Sequence, residues 1–89
     1  MTQNVFDYMT ILVGRKRAAG RDSTADLYRV VRNRLSFFLK SNKLHFNGIT
    51  VELIDGFAAT LRTEGLAVNT VNSYLSSFRA MYHAALREE

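Results

Sequence analysis

The sequence predicts an all-α fold, and three observations carry that expectation. The chain of 89 residues contains no proline, so the strongest helix breakers are missing. Alternating apolar and polar runs of strand type do not occur. Instead, four segments repeat apolar residues at intervals of three and four, separated by glycine or by residues suited to helix capping. A chain this short supports one hydrophobic core, so residues 1–89 are expected to form a single domain.

The first helix is expected from about Asn4 to Ala18, with Val5, Met9, Leu12 and Val13 on its inner side and Gly20 as its terminator. Gly14 inside it costs about 1 kcal/mol relative to alanine, so a bend or frayed end is expected there. The second starts at Ser23, which together with Asp26 has the form of a capping box. Its stripe is Leu27, Val31, Leu35 and Phe38, and it is expected to end near Ser41. A polar linker follows from Asn42 to Ile49, pinned to the core by Leu44, Phe46 and Ile49. Thr50 caps the third helix, which turns Ile54, Phe57, Ala58 and Leu61 inward and stops at Gly65 and Leu66 in a Schellman-type turn. Asn69 or Thr70 starts the fourth, with the stripe Val71, Leu75, Phe78, Tyr82 and Ala85, and it runs almost to Glu89.

A hydrophobic share of 47% against 22% charged residues is the balance of a folded domain, not of a disordered segment. Without cysteine, no disulfide or thiolate metal site stabilises it, which suits a reducing compartment. No signal peptide and no run of eighteen apolar residues is present, so the expected location is cytoplasmic, with no membrane partner.

The net charge of +4 is unevenly spread: nine of the twelve basic residues fall in 15–43 against only Asp22 and Asp26, giving that segment +7 and the remainder −3. A field of this kind suits a polyanion such as nucleic acid, and equally describes an ordinary solvated face.

Nothing in the chain assembles a catalytic set. His45 and His83 are the only histidines, and neither has a partner at metal-ligand spacing, so neither catalytic nor metal-binding residues are assigned. The tyrosines Tyr28, Tyr74 and Tyr82 lie on or beside apolar stripes and read as packing residues, while Tyr8 is open. The five glycines make no phosphate loop, so no nucleotide, other cofactor or small-molecule substrate is expected.

What remains is surface. At 100° per residue, helix two turns Arg29, Asn33, Ser36 and Lys40 away from its stripe, with Arg32 on the flank. Helix four presents Asn72, Ser73, Ser76, Ala80 and His83, with Arg79 on the border. Cations beside amides and hydroxyls suit phosphates and base edges, and short side chains let a helix approach a groove. Glu52 and Asp55 turn the outer side of helix three away from DNA.

Gly65-Leu66-Ala67-Val68-Asn69-Thr70-Val71, then Tyr74-Leu75, Phe78-Arg79 and Ala84-Ala85-Leu86, resemble the closing helix of the core-binding, SAM-like N-terminal domain of phage-integrase-type tyrosine recombinases. The resemblance extends back through Leu44-His45-Phe46-Asn47-Gly48-Ile49-Thr50 and through Thr24, Tyr28, Leu35 and Phe38, with the first helix weakest. It implies a compact four-helix orthogonal bundle that forms half of a clamp around double-stranded DNA, opposite a catalytic domain expected to follow in the full-length parent. It also implies a non-catalytic fragment, monomeric alone, from a parent that assembles as a tetramer on DNA. Carried over are the Asn69-Thr70 cap, Arg79 and the polar beginnings of helices two and four. The implied DNA-binding set is Arg21, Thr24, Arg29, Arg32, Asn33, Lys40, Asn69, Thr70, Asn72, Ser73, Ser76 and Arg79.

The chain departs from the family pattern at Ser76 and Ser77, where relatives often place a basic residue, and at Ala67 and Val68, where serine and proline are frequent. Two other classes compete with this reading. A helical protein-interaction module explains the fold equally and the charge split less well, and a helix-turn-helix regulator fits poorly with the eight-residue linker.

Overall fold

A computed structural model describes residues 4–88, in the order α1 (Val5–Ala18), α2 (Asp22–Leu39), a 3₁₀ turn (Phe46–Gly48), α3 (Val51–Thr63) and α4 (Val68–Arg87). Among the described residues there is no strand, and no helix is long and apolar enough to cross a membrane. The fourth helix is continuous to Arg87; Glu89 lies outside the described residues.

The turns follow from glycine. Gly20 and Gly65 take left-handed φ values of 77° and 88°, which only glycine adopts without steric cost. Each then closes a Schellman motif, with Gly20 N–H donating to Arg17 O and Arg21 N–H to Lys16 O at one turn, and Gly65 N–H to Arg62 O and Leu66 N–H to Leu61 O at the other. α2 ends in the same pattern, with Lys40 N–H donating to Phe37 O and Ser41 N–H to Ser36 O. Here the left-handed residue is Lys40 itself, at φ 54°. The helix therefore stops at Leu39, two residues short of the expected Ser41.

Two expected caps are absent. α2 starts at Asp22 with Arg21 at its N-cap and no side-chain cap, so Ser23 lies inside the first turn and Asp26 is free to pair with Arg17 instead. α4 starts at Val68 with Ala67 at its N-cap, so Asn69 and Thr70 are first-turn residues and cap nothing. Both helices emerge directly from a Schellman turn, which sets the chain direction before a capping side chain is reached. After the longer α2–α3 linker the cap is real, with Thr50 Oγ1 accepting from Leu53 N–H at 3.1 Å, and at α1 Asn4 Oδ1 accepts from Phe6 N–H at 3.1 Å.

Asn4 does more than cap α1. Its Oδ1 also accepts from Leu44 N–H and its Nδ2 donates to Asn42 O, while Val5 N–H donates to Leu44 O at 2.8 Å. The α2–α3 linker is thereby stitched to the start of the chain, and Phe46 meets Tyr8 edge-on at 6.0 Å. Leu44, Phe46 and Ile49 are half-buried, as the linker's pattern predicts.

The core takes Val31 and Leu35 from α2, Phe57, Ala58 and Leu61 from α3, and Val71, Leu75, Phe78 and Ala85 from α4. Leu27, Phe38 and Ile54 are only partly buried, and on α4 it is Met81, not Tyr82, that is sealed. α1 buries a wider face than expected: Phe6 and Tyr8 join Val5, Met9 and Leu12, because the helix packs against both α2 and α4. α1 runs as one helix through Gly14 to Ala18.

Candidate nucleic-acid interface

On α2, Arg29 and Asn33 are exposed, and they line an open cleft of about 360 Å³ with Arg32 and with Thr10 and Val13 of α1. Arg32 is half-buried there and already engaged. Its Nε donates to Phe6 O at 3.3 Å and its guanidinium carbon lies 5.7 Å from the centre of the Phe6 ring, a cation–π arrangement. Arg32 thus ties α2 to α1 while leaving the rest of its guanidinium beside Arg29. Arg21 is exposed at the α1–α2 turn, and Thr24 is half-buried in the first turns of α2.

Two members of the α2 row depart from their expected roles. Ser36 donates to Asn42 Oδ1 at 2.5 Å and so belongs to the turn that ends the helix. Lys40 is exposed, but its left-handed backbone takes it out of helical register with Arg29 and Asn33.

On α4, Asn69, Asn72, Ser73, Ser76 and Arg79 are exposed, and Thr70 is half-buried. Ser77 faces the core, so only Ser76 of the serine pair stands on the outer side. The α4 face borders a second cleft, of about 310 Å³, lined by Ala80, His83 and Arg87 of α4, Lys16 of α1 and Tyr28 of α2. The two rows therefore open onto different clefts, and α1 contributes to both.

Electrostatics sorts the cations. Arg15 pairs with Glu88 at 2.6 Å, Arg17 with Asp26 at 2.6 Å and Asp22 at 3.6 Å, and Arg34 with Glu64 at 2.7 Å. The hydrogen bond and charge of Arg17 hold the Asp26 carboxyl below its ordinary pKa, and Asp26 raises that of Arg17 in return. Among the described residues Lys16, Arg21, Arg29, Lys40, Arg79 and Arg87 form no ion pair. Neither Lys16 nor Arg87 is in the DNA-binding set expected from the sequence. The available signal was their position one turn beyond Leu12 and His83, but nothing in the sequence brings α1 and the end of α4 together.

Tyr8 is a buried residue whose hydroxyl donates to the Glu88 carboxylate, which fixes the end of α4 on α1. His45 Nδ1 accepts from Asn47 N–H at 3.1 Å and caps the 3₁₀ turn. Among the described residues no three histidine, cysteine or carboxylate side chains are grouped to hold a metal.

These elements define a small all-α domain with cations outside any described ion pair on α1, α2 and α4, as well as Lys43 in the linker and Arg62 on α3. A family model for the phage integrase SAM-like domain matches residues 4–89, and the chain belongs to that family, a class of recombinase-associated domains. Comparison with curated proteins gives no match, and neither does comparison with solved structures.

Proposed function

We propose that the chain is the DNA-binding, core-binding domain of a site-specific recombinase, holding duplex DNA opposite a separate catalytic domain and performing no strand chemistry itself. The observation that carries this reading is the Arg29, Arg32 and Asn33 cleft, in which Arg32 is held in place by Phe6 and Arg29 stands beside it without an ion pair. A guanidinium fixed before binding loses less conformational freedom on meeting a phosphate. Asn69, Asn72, Ser73, Ser76 and Arg79 supply a second polar face. Arg21, Thr24, Lys40 and Thr70 complete the proposed contacts, and the fragment is monomeric until a parent assembles on its site.

The test is a mobility shift with random duplex at two salt concentrations. Binding is expected at micromolar to sub-millimolar affinity, because about four to six neutralised phosphates support no more, and it falls steeply with salt. Arg29→Glu with Lys40→Glu should weaken binding about tenfold or more with helicity unchanged. Arg62→Glu, on the exposed side of α3 that carries Glu52 and Asp55, should lose much less than half of that free energy. Equal loss per charge would reject the α2 interface.

A protein-interaction module is the second reading, and the observation favouring it is Phe37, 70% exposed on α2 beside Val30. It requires no shift at either salt concentration.

A further inference from the structure

The cleft between α1, α2 and the end of α4 sets the basic side chains Lys16, His83 and Arg87 over an apolar floor of Leu12 and Ala84. Lys16 comes from the last turns of α1, and His83 and Arg87 from successive turns of α4. Tyr28 closes it from α2. Only 9% of that residue is exposed, and it borders the cleft. Its hydroxyl has no hydrogen-bond partner among the described residues, and the residue lines the cleft.

Among the described residues no acidic side chain lines this opening. The nearest along α4, Glu88, is drawn away by Tyr8 and Arg15. Lys16 and Arg87, with no counter-charge among the described residues and with His83 and Tyr28 lining the same cleft, are arranged for an oxyanion. The cleft also continues the outer strip of α4. Asn72, Ser76, Ala80, His83 and Arg87 follow one another at intervals of three and four, a span of about 22 Å at 1.5 Å per residue. A sugar-phosphate backbone lying along that strip reaches the cleft at its far end.

We infer that Lys16, Tyr28, His83 and Arg87 form a phosphate site for the DNA backbone, distinct from the Arg29 cleft. The inference rests on the DNA-binding reading above. In it, Lys16 and Arg87 neutralise the phosphate, and Tyr28 donates a hydrogen bond to a phosphate oxygen.

Three variants of the whole chain test it. Lys16→Gln with Arg87→Gln should reduce duplex affinity about tenfold and lower the salt slope by about two, the number of phosphate-neutralising charges removed. Tyr28→Phe keeps the buried ring and removes only the hydroxyl, so duplex affinity should fall about threefold while the melting temperature holds. Arg62→Gln should change neither affinity nor slope. Inorganic phosphate titrated against the unmodified chain should shift the NMR signals of Tyr28 and His83, and this response should vanish in the double variant.

If the unmodified chain binds duplex and the Lys16, Arg87 and Tyr28 variants bind it equally well with the same slope, the site is overturned and the broader reading survives. Absence of duplex binding by the unmodified chain overturns both. A phosphate response at Tyr28 with duplex affinity untouched by the variants overturns the assignment to DNA and leaves a site for a free anion.

Discussion

The α1–α2 turn and the α3–α4 turn use the same backbone device to opposite ends. Both close with a glycine at positive φ and the same pair of Schellman hydrogen bonds, and both release a helix with no side-chain cap. The first is then held by charge, with Arg17 reaching across to Asp22 and Asp26. The second leads into rings: Phe57 of α3 and Phe78 of α4 meet edge-to-face at 6.2 Å, and Phe38 of α2 lies 5.7 Å from Phe57. The first corner carries the two exposed contacts of Arg17, whereas the second combines one ion pair, Arg34 with Glu64, with a buried aromatic contact. Of the proposed phosphate contacts, Arg21 and Thr24 lie at this first corner, where a cation is already part of the architecture.

Removing the aromatic contact should separate the two corners most sharply. Phe78 is 2% exposed, and Phe78→Ala is expected to cost roughly 3 to 5 kcal/mol in lost transfer energy and cavity. For a domain of this size each kcal/mol lowers the melting temperature by about 4 to 8 °C, so thermal denaturation should show a drop of more than about 12 °C or no folded state. A drop of a degree or two would mean that the α3–α4 corner is not the stabilising one.

The third Schellman turn asks how much glycine itself contributes. At the end of α2 the left-handed position is Lys40, where a side chain costs about 1 kcal/mol that glycine avoids. Lys40→Gly is expected to raise stability by about 0.5 to 1 kcal/mol, a gain of a few degrees in melting temperature. It should at the same time weaken duplex binding, since it removes an exposed cation. Unchanged or lowered stability would show that the lysine side chain makes contacts that offset the strained backbone.

Much of the fold was legible because its signals are local. The four helices, the Thr50 cap and the stops at Gly20 and Gly65 each depend on a few neighbouring residues and are found where expected, and most of each apolar stripe is buried, with Met81 in place of Tyr82 on α4. Ser23, Asn69 and Thr70 misled because a capping side chain is useful only if the helix has not already begun, and here the preceding turn starts it first. Phe6 and Tyr8 were missed because the width of α1's buried face depends on α1 packing against two partners, α2 and α4, which periodicity does not encode. The candidate site divides in the same way. Arg29 and Asn33 could be placed from the helical repeat, whereas Lys16 and Arg87 converge only through the packing of the first helix against the last.

The smallest expected effect probes the polar corner directly. Asp26 titrates below its ordinary value of 3.8 in the folded chain, first because of its hydrogen bond from Arg17 and then because of that residue's charge. A carboxylate with a depressed native pKa stabilises the folded state at pH values above its unfolded pKa, and that contribution is lost as pH falls through the native value. Asp26→Asn should therefore lower the melting temperature slightly at neutral pH, since both partners are exposed to solvent and the pair is screened. Relative to the unmodified chain, the deficit should begin to shrink as pH falls toward 3.8 and should be gone once pH is below the depressed native value. Added salt at neutral pH should narrow the same gap, whereas it leaves the deficit of Phe78→Ala essentially unchanged. A deficit that ignores both pH and salt would mean that Asp26 acts through its packing in the first turns of α2 and that charge does not hold the α1–α2 corner.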